Sequence, residues 1–419
     1  MNEEQSIRIV IMHYAAPPII GGVEQTIYHH ARLLVTRGHD VHIIAGRGKQ
    51  FHPQVHFHHV PEVDSRHPDI LEVGKELAAG QVTRHFHAVR DHIVSVLRPL
   101  LTTMDVTIVH NILTLHKNLP LTAALYQLNS EKVTHFIAWC HDFAWKDELY
   151  IPEMHEGYPW DLLRKPWPGV RYVVVSQHRR VVLASLLNLP EQSIAVVPPG
   201  VDVIGFLKLE AETRRLVEAL DLLQGEPLLL LPARITRRKN IEKAIQIVAE
   251  LKHFMPNPIL VVTGPPGPHN PTNIAYLERL QHLRQEHGVE KNVYFLYEYG
   301  AHGSPLEVTD AMVADFYQLA DVLLFPSRRE GFGIPVLEAG LTRLPIFASN
   351  IPPVQESANG FAHTFDVEED PRIVAQEIAH TLQESSTYHM RKRVLKRYNW
   401  DVIVDSMVVP LIREALENG

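Results

Sequence analysis

Short apolar runs recur along the whole chain, separated by stretches in which apolar residues return every third or fourth position. In the first half the runs are Ile7 to Met12, Val41 to Ile44, Val106 to Val109, His135 to Trp139 and Tyr172 to Val175. In the second half they are Leu228 to Leu231, Ile259 to Thr263, Val293 to Leu296, Val322 to Phe325 and Pro345 to Ala348. Runs of this length without polar alternation are expected of strands covered on both faces, as in a parallel sheet. The intervening segments have helical period. Arg84 to Leu100 places Phe86, Val89, Ile93, Val96, Leu97 and Leu100 on one face and His, Arg and Asp on the other, and Ile241, Ala244, Ile245, Val248 and Leu251 form a second such stripe. Glu210 to Leu223 reads as a further helix leading to the break Gly225-Glu226-Pro227. Strand and helix alternating in this way specify a doubly wound α/β sheet, and the pattern runs through twice. Pro198-Pro199-Gly200 interrupts it, which puts a hinge near residue 203 between two Rossmann-like halves.

Composition agrees with two globular domains. A chain of 419 residues with 45% hydrophobic and 21% charged residues has enough apolar material for two cores. The formal net charge of −8 speaks against nucleic acid as a partner, since phosphate-tracking surfaces carry a basic excess. The acidic start, residues 1–5, leads straight into a strand, so neither a secretory signal nor a membrane span is expected. Cys140 is the single cysteine, which excludes an internal disulfide and makes a cytoplasmic location the expectation. The 27 histidines invite a metal site, but no H-E-x-x-H or C-x-x-C spacing is present, and no metal ligand is assigned. Arg179-Arg180 and Arg391-Lys392-Arg393 are the dense basic spots; the second reads as a solvated helix face, so peripheral membrane contact is not favoured.

The most informative stretch runs from Ser327 to Gly340, where Glu330 and Glu338 bracket the turn Gly331-Phe332-Gly333. It follows the apolar run Val322 to Phe325, so the glycines fall at the carboxyl end of a strand, and Pro335 suits the first helical position that follows. Unpaired N–H groups from Gly333 to Val336 at a helix N-terminus favour an anion such as phosphate. Glu338, one turn in, can accept from both hydroxyls of a ribose, while Glu330 in the loop reaches a sugar ring. These residues together read as a nucleotide-sugar site. Gly21-Gly22 follows the first strand and opens a helix, so its amides can meet a phosphate or an acceptor. A dinucleotide enzyme is demoted there, because His13 to Pro17 stands where G-x-G-x-x-G would be needed.

The Glu-x7-Glu stretch resembles the signature of retaining glycosyltransferases of glycosyltransferase family 4, which have the GT-B fold. The resemblance extends, in the same order as in that family, to Gly21-Gly22-Val23-Glu24, to Val197-Pro198-Pro199-Gly200-Val201-Asp202, and to Arg234 with Lys239. It covers almost the whole chain. It implies two Rossmann-like doubly wound domains facing a central cleft, residues 1–203 with a returning helix in 396–419 and residues 204–395, with ligand in the cleft. It also implies that Arg234 and Lys239 neutralise the leaving nucleoside diphosphate, that His141 contacts the donor sugar, and that Glu330 positions the sugar without attacking it. Catalytic candidates are then Glu330, Arg234, Lys239 and His141. Donor-binding candidates are Gly21, Gly22, Phe332, Gly333, Ile334, Val336 and Glu338. His110, Asn111 and Asp142 are acceptor-side candidates, and Asp142 either orients His141 or meets the acceptor.

The activity implied is metal-independent transfer of a hexose from an NDP-sugar, GDP-mannose or UDP-glucose foremost, to a hydroxyl of a small-molecule or glycan acceptor. Retention would follow front-face substitution, the leaving phosphate taking the acceptor proton. No cofactor is implied, and no Asp-x-Asp of the metal-dependent GT-A kind is present. Leu296-Tyr297-Glu298-Tyr299-Gly300 lies where base recognition is expected without revealing the base. The aromatic segment Glu156 to Gly169 either shapes the acceptor pocket or packs. The alternatives are a nucleotide-sugar-binding protein without turnover and another GT-B enzyme such as an epimerase or a phosphorylase.

Overall fold

The computed structural model describes residues 6–267 and 272–417; the acidic start, residues 1–5, lies outside them. The chain forms two compact units, Met1–Val201 with Tyr398–Gly419, and Asp202–Arg397. The first contains strands β1 (Arg8–Ala15), β2 (Asp40–Arg47), β3 (Val55–His59), β4 (Val106–His110), β5 (His135–Cys140), β6 (Arg171–Val174) and β7 (Ile194–Val196). They form one parallel sheet in the order β3-β2-β1-β4-β5-β6-β7. The second contains β8 (Leu228–Leu231), β9 (Ile259–Val262), β10 (Val293–Phe295), β11 (Val322–Phe325), β12 (Ile346–Ser349) and β13 (His363–Phe365), ordered β10-β9-β8-β11-β12-β13 and again parallel. In each sheet the winding reverses between the first strand and the fourth. The carboxyl ends of those two strands therefore open onto the crevice where doubly wound sheets bind ligands.

The unbroken apolar runs have a simple cause. Val10 and Met12 of β1 join the core that holds Phe86, Ile93 and Leu97, while Ile9 and Ile11 join the one that holds Ile27 and Leu34. In β8, Leu229 and Leu231 face one core, and Leu228 and Leu230 the other. Each central strand is thus covered by helices on both sides.

Several elements depart from the sequence expectation. Strands β3, β7 and β13 are additional. They lie at sheet edges, where one partner is missing and a short, partly polar strand such as Val55-His56-Phe57-His58-His59 suffices. The helix expected over Glu210 to Leu223 stops at Ala219; Asp221 then takes a left-handed φ of 51° before a single turn at Leu222–Gln224. The run Arg391-Lys392-Arg393 is not a solvated face. Lys392 is buried, its Nζ 2.5 Å from Asp321 Oδ2 and 2.7 Å from the Gly225 carbonyl oxygen, and burial lowers its pKa. The aromatic segment after His141 packs: Trp160 and Trp167 are buried, and the Trp167 Nε1–H donates to the Leu162 carbonyl at 2.9 Å.

Near the chain's end a helical stretch from Trp400 to Glu417, loosened into a π-helical turn at Val404–Val408, returns to the first unit. Trp400, Ile403, Val408 and Ile412 complete the core beside Ile9 and Ile11, and Arg37 clasps Asp401 and Asp405 at 2.8 Å each. Among the described residues no helix is long and apolar enough to cross a membrane.

Candidate active site

In the second unit, the loops after β8 and β11 meet at the winding reversal. The backbone N–H of Arg328 donates to the Arg238 carbonyl at 2.8 Å, which stitches the loops together. Across this seam Lys239 Nζ lies 2.5 Å from Glu330 Oε1, and Arg238 Nη1 lies 3.4 Å from Oε2. Lys239 and Glu330 side chains are 9% and 7% exposed, so the pair is nearly dry. Burial lowers the Lys239 pKa, Glu330 opposes that shift, and the ammonium also stands 4.9 Å from the Phe325 ring centroid. Arg234, earlier on the same loop, is exposed and has no partner among the described residues. The loop after β9 supports it. Ile235 donates to the Pro265 carbonyl at 2.9 Å, and a Cβ on Gly264 would stand 2.5 Å from the Ala233 oxygen, so only glycine lets the two loops approach.

The Gly-rich turn caps the helix Ile334–Leu341 through Gly333, whose φ of 95° is left-handed and strained for any other residue. The free N–H groups expected from Gly333 to Val336 need correction. Pro335, the second helical residue, has none, and Val336 donates to the Gly333 carbonyl at 2.9 Å, leaving those of Gly333 and Ile334. Phe332 and Ile334 expose apolar side chains beside them. Glu338 is exposed and accepts from the Tyr317 hydroxyl at 2.6 Å through Oε2, which leaves Oε1 for another donor. Burial foremost, and this carboxylate next, push the Tyr317 pKa up. Tyr317 is a residue the sequence reading missed. Its position on the helix Asp310–Leu319, ahead of β11, carried no motif.

In the first unit the corresponding reversal collects histidines. His110 ends β4 and His141 follows β5; His110 Nδ1 lies 3.2 Å from His141 Nε2. His13 Nδ1 donates to the His110 carbonyl at 2.9 Å. Asn111 takes a left-handed φ of 60° and accepts through Oδ1 from the backbone N–H of His141 at 2.7 Å and of Asp142 at 3.1 Å. Its amide nitrogen donates to Asp142 at 3.2 Å, and Arg179 approaches the same carboxylate at 3.4 Å. Asp142 therefore braces Asn111 and Arg179, while His141 is met by His110. Burial drives the His141 pKa down to about 4 and that of His30, buried between Trp139 and Trp400, to about 3. His110 is likewise held well below its ordinary value, so the cluster is neutral near pH 7. Gly21 precedes the helix Gly22–Thr36 with φ of −173°, and the Glu24 carboxylate folds back toward it.

Comparison with known proteins covers both units. The model of a family described as Glycosyltransferase Family 4 matches residues 20–204, and that of Glycosyl transferases group 1 matches residues 213–396. The chain is 24% identical over 427 residues to a mannosylglucosylglycerate synthase of Thermotoga maritima, covering 91% of this chain and 93% of that one. It is 29% identical over 190 residues, 45% of each chain, to a GDP-mannose-dependent alpha-(1-6)-phosphatidylinositol monomannoside mannosyltransferase of Mycolicibacterium smegmatis. A solved glycosyltransferase structure from Rickettsia africae aligns over 99% of this chain and 100% of that one, at 15% identity and a TM-score of 0.38, too low to carry weight.

Proposed function

The chain belongs to glycosyltransferase family 4 and is a glycosyltransferase; from that premise we propose that it transfers a hexose, with retention and without a metal, from an NDP-sugar to a hydroxyl of a small-molecule acceptor. GDP-mannose is favoured over UDP-glucose as donor because one relative is a GDP-mannose-dependent mannosyltransferase and another a mannosylglucosylglycerate synthase. The observation that carries the reading is the nearly dry Lys239–Glu330 pair, on loops that also carry the turn at Gly333 and Arg234, which is exposed and without a partner among the described residues.

Breaking the anomeric bond leaves charge on the nucleoside diphosphate. Arg234, unpartnered and exposed, and Lys239, with N–H donors beyond the one given to Glu330, stabilise that charge where it develops. The free amides of Gly333 and Ile334 add aligned dipoles. Because Lys239 is held by Glu330 and the two amides by the helix start before the reaction, no divalent ion is needed for the role. Glu338 offers Oε1 to the ribose while Tyr317 holds the other oxygen. Glu330, pinned by Lys239 and Arg238, orients the sugar and is not free to swing onto the anomeric carbon as a nucleophile. Retention then follows from front-face substitution, with a leaving-phosphate oxygen taking the acceptor proton. His141 presents a neutral imidazole to substrate, with His110, Asn111 and Asp142 fixing its turn.

The test is release of nucleoside diphosphate on mixing GDP-mannose with candidate acceptors in chelator, with the anomeric configuration of the product read by NMR. Acceptor-dependent release giving the donor's own anomeric configuration is expected. An inverted product would exclude the mechanism, and metal-reversible loss in chelator would exclude metal independence. Binding without release would leave a nucleotide-sugar-binding protein, and conversion of the donor without acceptor an epimerase.

A further inference from the structure

The sequence carries no metal-binding spacing, yet the sheet brings together residues that no linear motif links. Strands β2 and β3 pair in parallel with His42 opposite His56 and Ile44 opposite His58. Directly paired residues share a face, and so do alternate residues along a strand, so Asp40, His42, His56 and His58 all project from one side of the sheet edge. His42 Nε2 lies 3.2 Å from Asp40 Oδ1, and His56 Nε2 lies 3.7 Å from the same oxygen. All three ligand atoms fall within 4.8 Å of one another. Zinc bonds of about 2.0–2.1 Å in a tetrahedral site imply ligand separations of roughly 3.4 Å. The second spacing is too long for a hydrogen bond and suits an ion held between the groups.

A second observation bears on the chemistry of His42. Its Nδ1 lies 2.8 Å from His58 Nε2, with the two ring planes within 4°. If Nδ1 carries the proton and gives it to His58, Nε2 is left as a lone pair aimed at Asp40 and His56. Metal-ligating histidines are held in this way, the far nitrogen donating to a neighbour that sets tautomer and ring angle. Arg8, opposite Asp40 in the β1–β2 register, is paired with Asp105 at 2.6 Å, which offsets its charge.

We propose that Asp40, His42 and His56 form a zinc-class cation site, with His58 as the positioning residue for His42 and a fourth position open to water. Two imidazoles and one carboxylate are a donor set suited to first-row divalent ions and poorly suited to magnesium or calcium. The ion would clamp edge strand β3 to β2. Asp40 starts β2 and His56 is the second residue of β3, so the site sits at the amino ends of the strands, opposite Gly21, His110 and His141. It is therefore independent of the transferase reading.

The test titrates the full-length, chelator-stripped protein with zinc against a chromophoric competitor. One zinc per chain above background is expected, with His56→Gln and His42→Gln each weakening it at least tenfold and His58→Gln about tenfold. His363→Gln, on the other unit, serves as the control for background among 27 histidines and should change nothing. Because His56 is exposed, its variant is expected to melt like wild type without metal but to lose the zinc-induced rise in midpoint. Cobalt should give the visible bands of a tetrahedral site in wild type and in His363→Gln, but not in His42→Gln or His56→Gln. Zinc affinity unchanged in both His42→Gln and His56→Gln, or no site tighter than the control background, would overturn the proposal.

Discussion

In the proposed mechanism Lys239 carries two demands: it must hold Glu330 in a nearly dry seam, and it must still face a diphosphate. Truncating Lys239 to alanine leaves Glu330 with Arg238 at 3.4 Å, and loss of one partner of a buried pair costs about 3 kcal/mol. Lys239→Gln separates the two roles, since the amide still donates to Glu330 but carries no charge. Turnover should then fall on the order of 100-fold with a melting midpoint near wild type, as steady-state kinetics and thermal melts would show. Equal losses of stability and turnover would mark the pair as purely structural. Glu338 is tied to Tyr317 at 2.6 Å. Glu338→Gln keeps an acceptor for that hydroxyl while removing the charge offered to ribose. Nucleotide affinity should weaken about tenfold, equivalent to roughly 1.4 kcal/mol, and calorimetry with the free diphosphate checks it.

At the scale of elements, three strand ends and one helix hold the neutral histidines, and this makes acid stability a property of the first unit. Folded-state pKa values of about 4 for His141 and about 3 for His30 lie below the unfolded value. Between about pH 6.5 and 4 the unfolded chain therefore binds more protons than the native one, and stability falls as pH falls. Each group contributes up to about 1.4 kcal/mol per pH unit in that window. His30→Leu should flatten the acid limb of the melting-temperature profile, and an unchanged slope would mean that His30 is protonated in the fold. The returning helix is a second element-level lever. Trp400 stacks on His29 at 5.1 Å and closes the core, so Trp400→Ala should cost roughly 3–5 kcal/mol in chemical denaturation.

The same elements show what was legible in the sequence. Central strands such as Leu228–Leu231 and Val322–Phe325 announce themselves because burial on both faces demands unbroken apolarity. Edge strands β3 and β13 do not, since one open edge tolerates histidine and threonine, and β7, Ile194–Val196, is too short to stand out. Glu330 stood out because it adjoins a glycine turn between a strand end and a helix start, whereas Arg234 and Lys239 were singled out through the family resemblance, Lys239 lying 91 positions from Glu330. Tyr317, Arg238 and the Asp40–His42–His56 cluster were not legible, because each acquires its meaning only from a neighbour supplied by another strand or helix. Lys392 misled for the same reason. Its partner Asp321 is 71 positions away, so a buried ion pair looked like a solvated face.

Across the whole molecule, one architectural rule is used twice. Both sheets wind outward from their first strand and reverse at the fourth, and in both polar groups gather near the ends of those strands: Arg234, Lys239 and Glu330 in one unit, His13 and His110 in the other, with His141 after the neighbouring β5. The first unit is built from two separated stretches of chain. We propose that the second unit's loops after β8 and β11 hold a nucleotide-sugar donor without a metal. Calorimetric titration of the full-length protein with GDP-mannose in chelator, for wild type and Lys239→Gln, tests it most directly. One donor bound per chain, at least tenfold more weakly in the variant, is the expected result. Equal affinity in both proteins, or no binding of GDP-, UDP- or ADP-linked hexose by wild type, would contradict it.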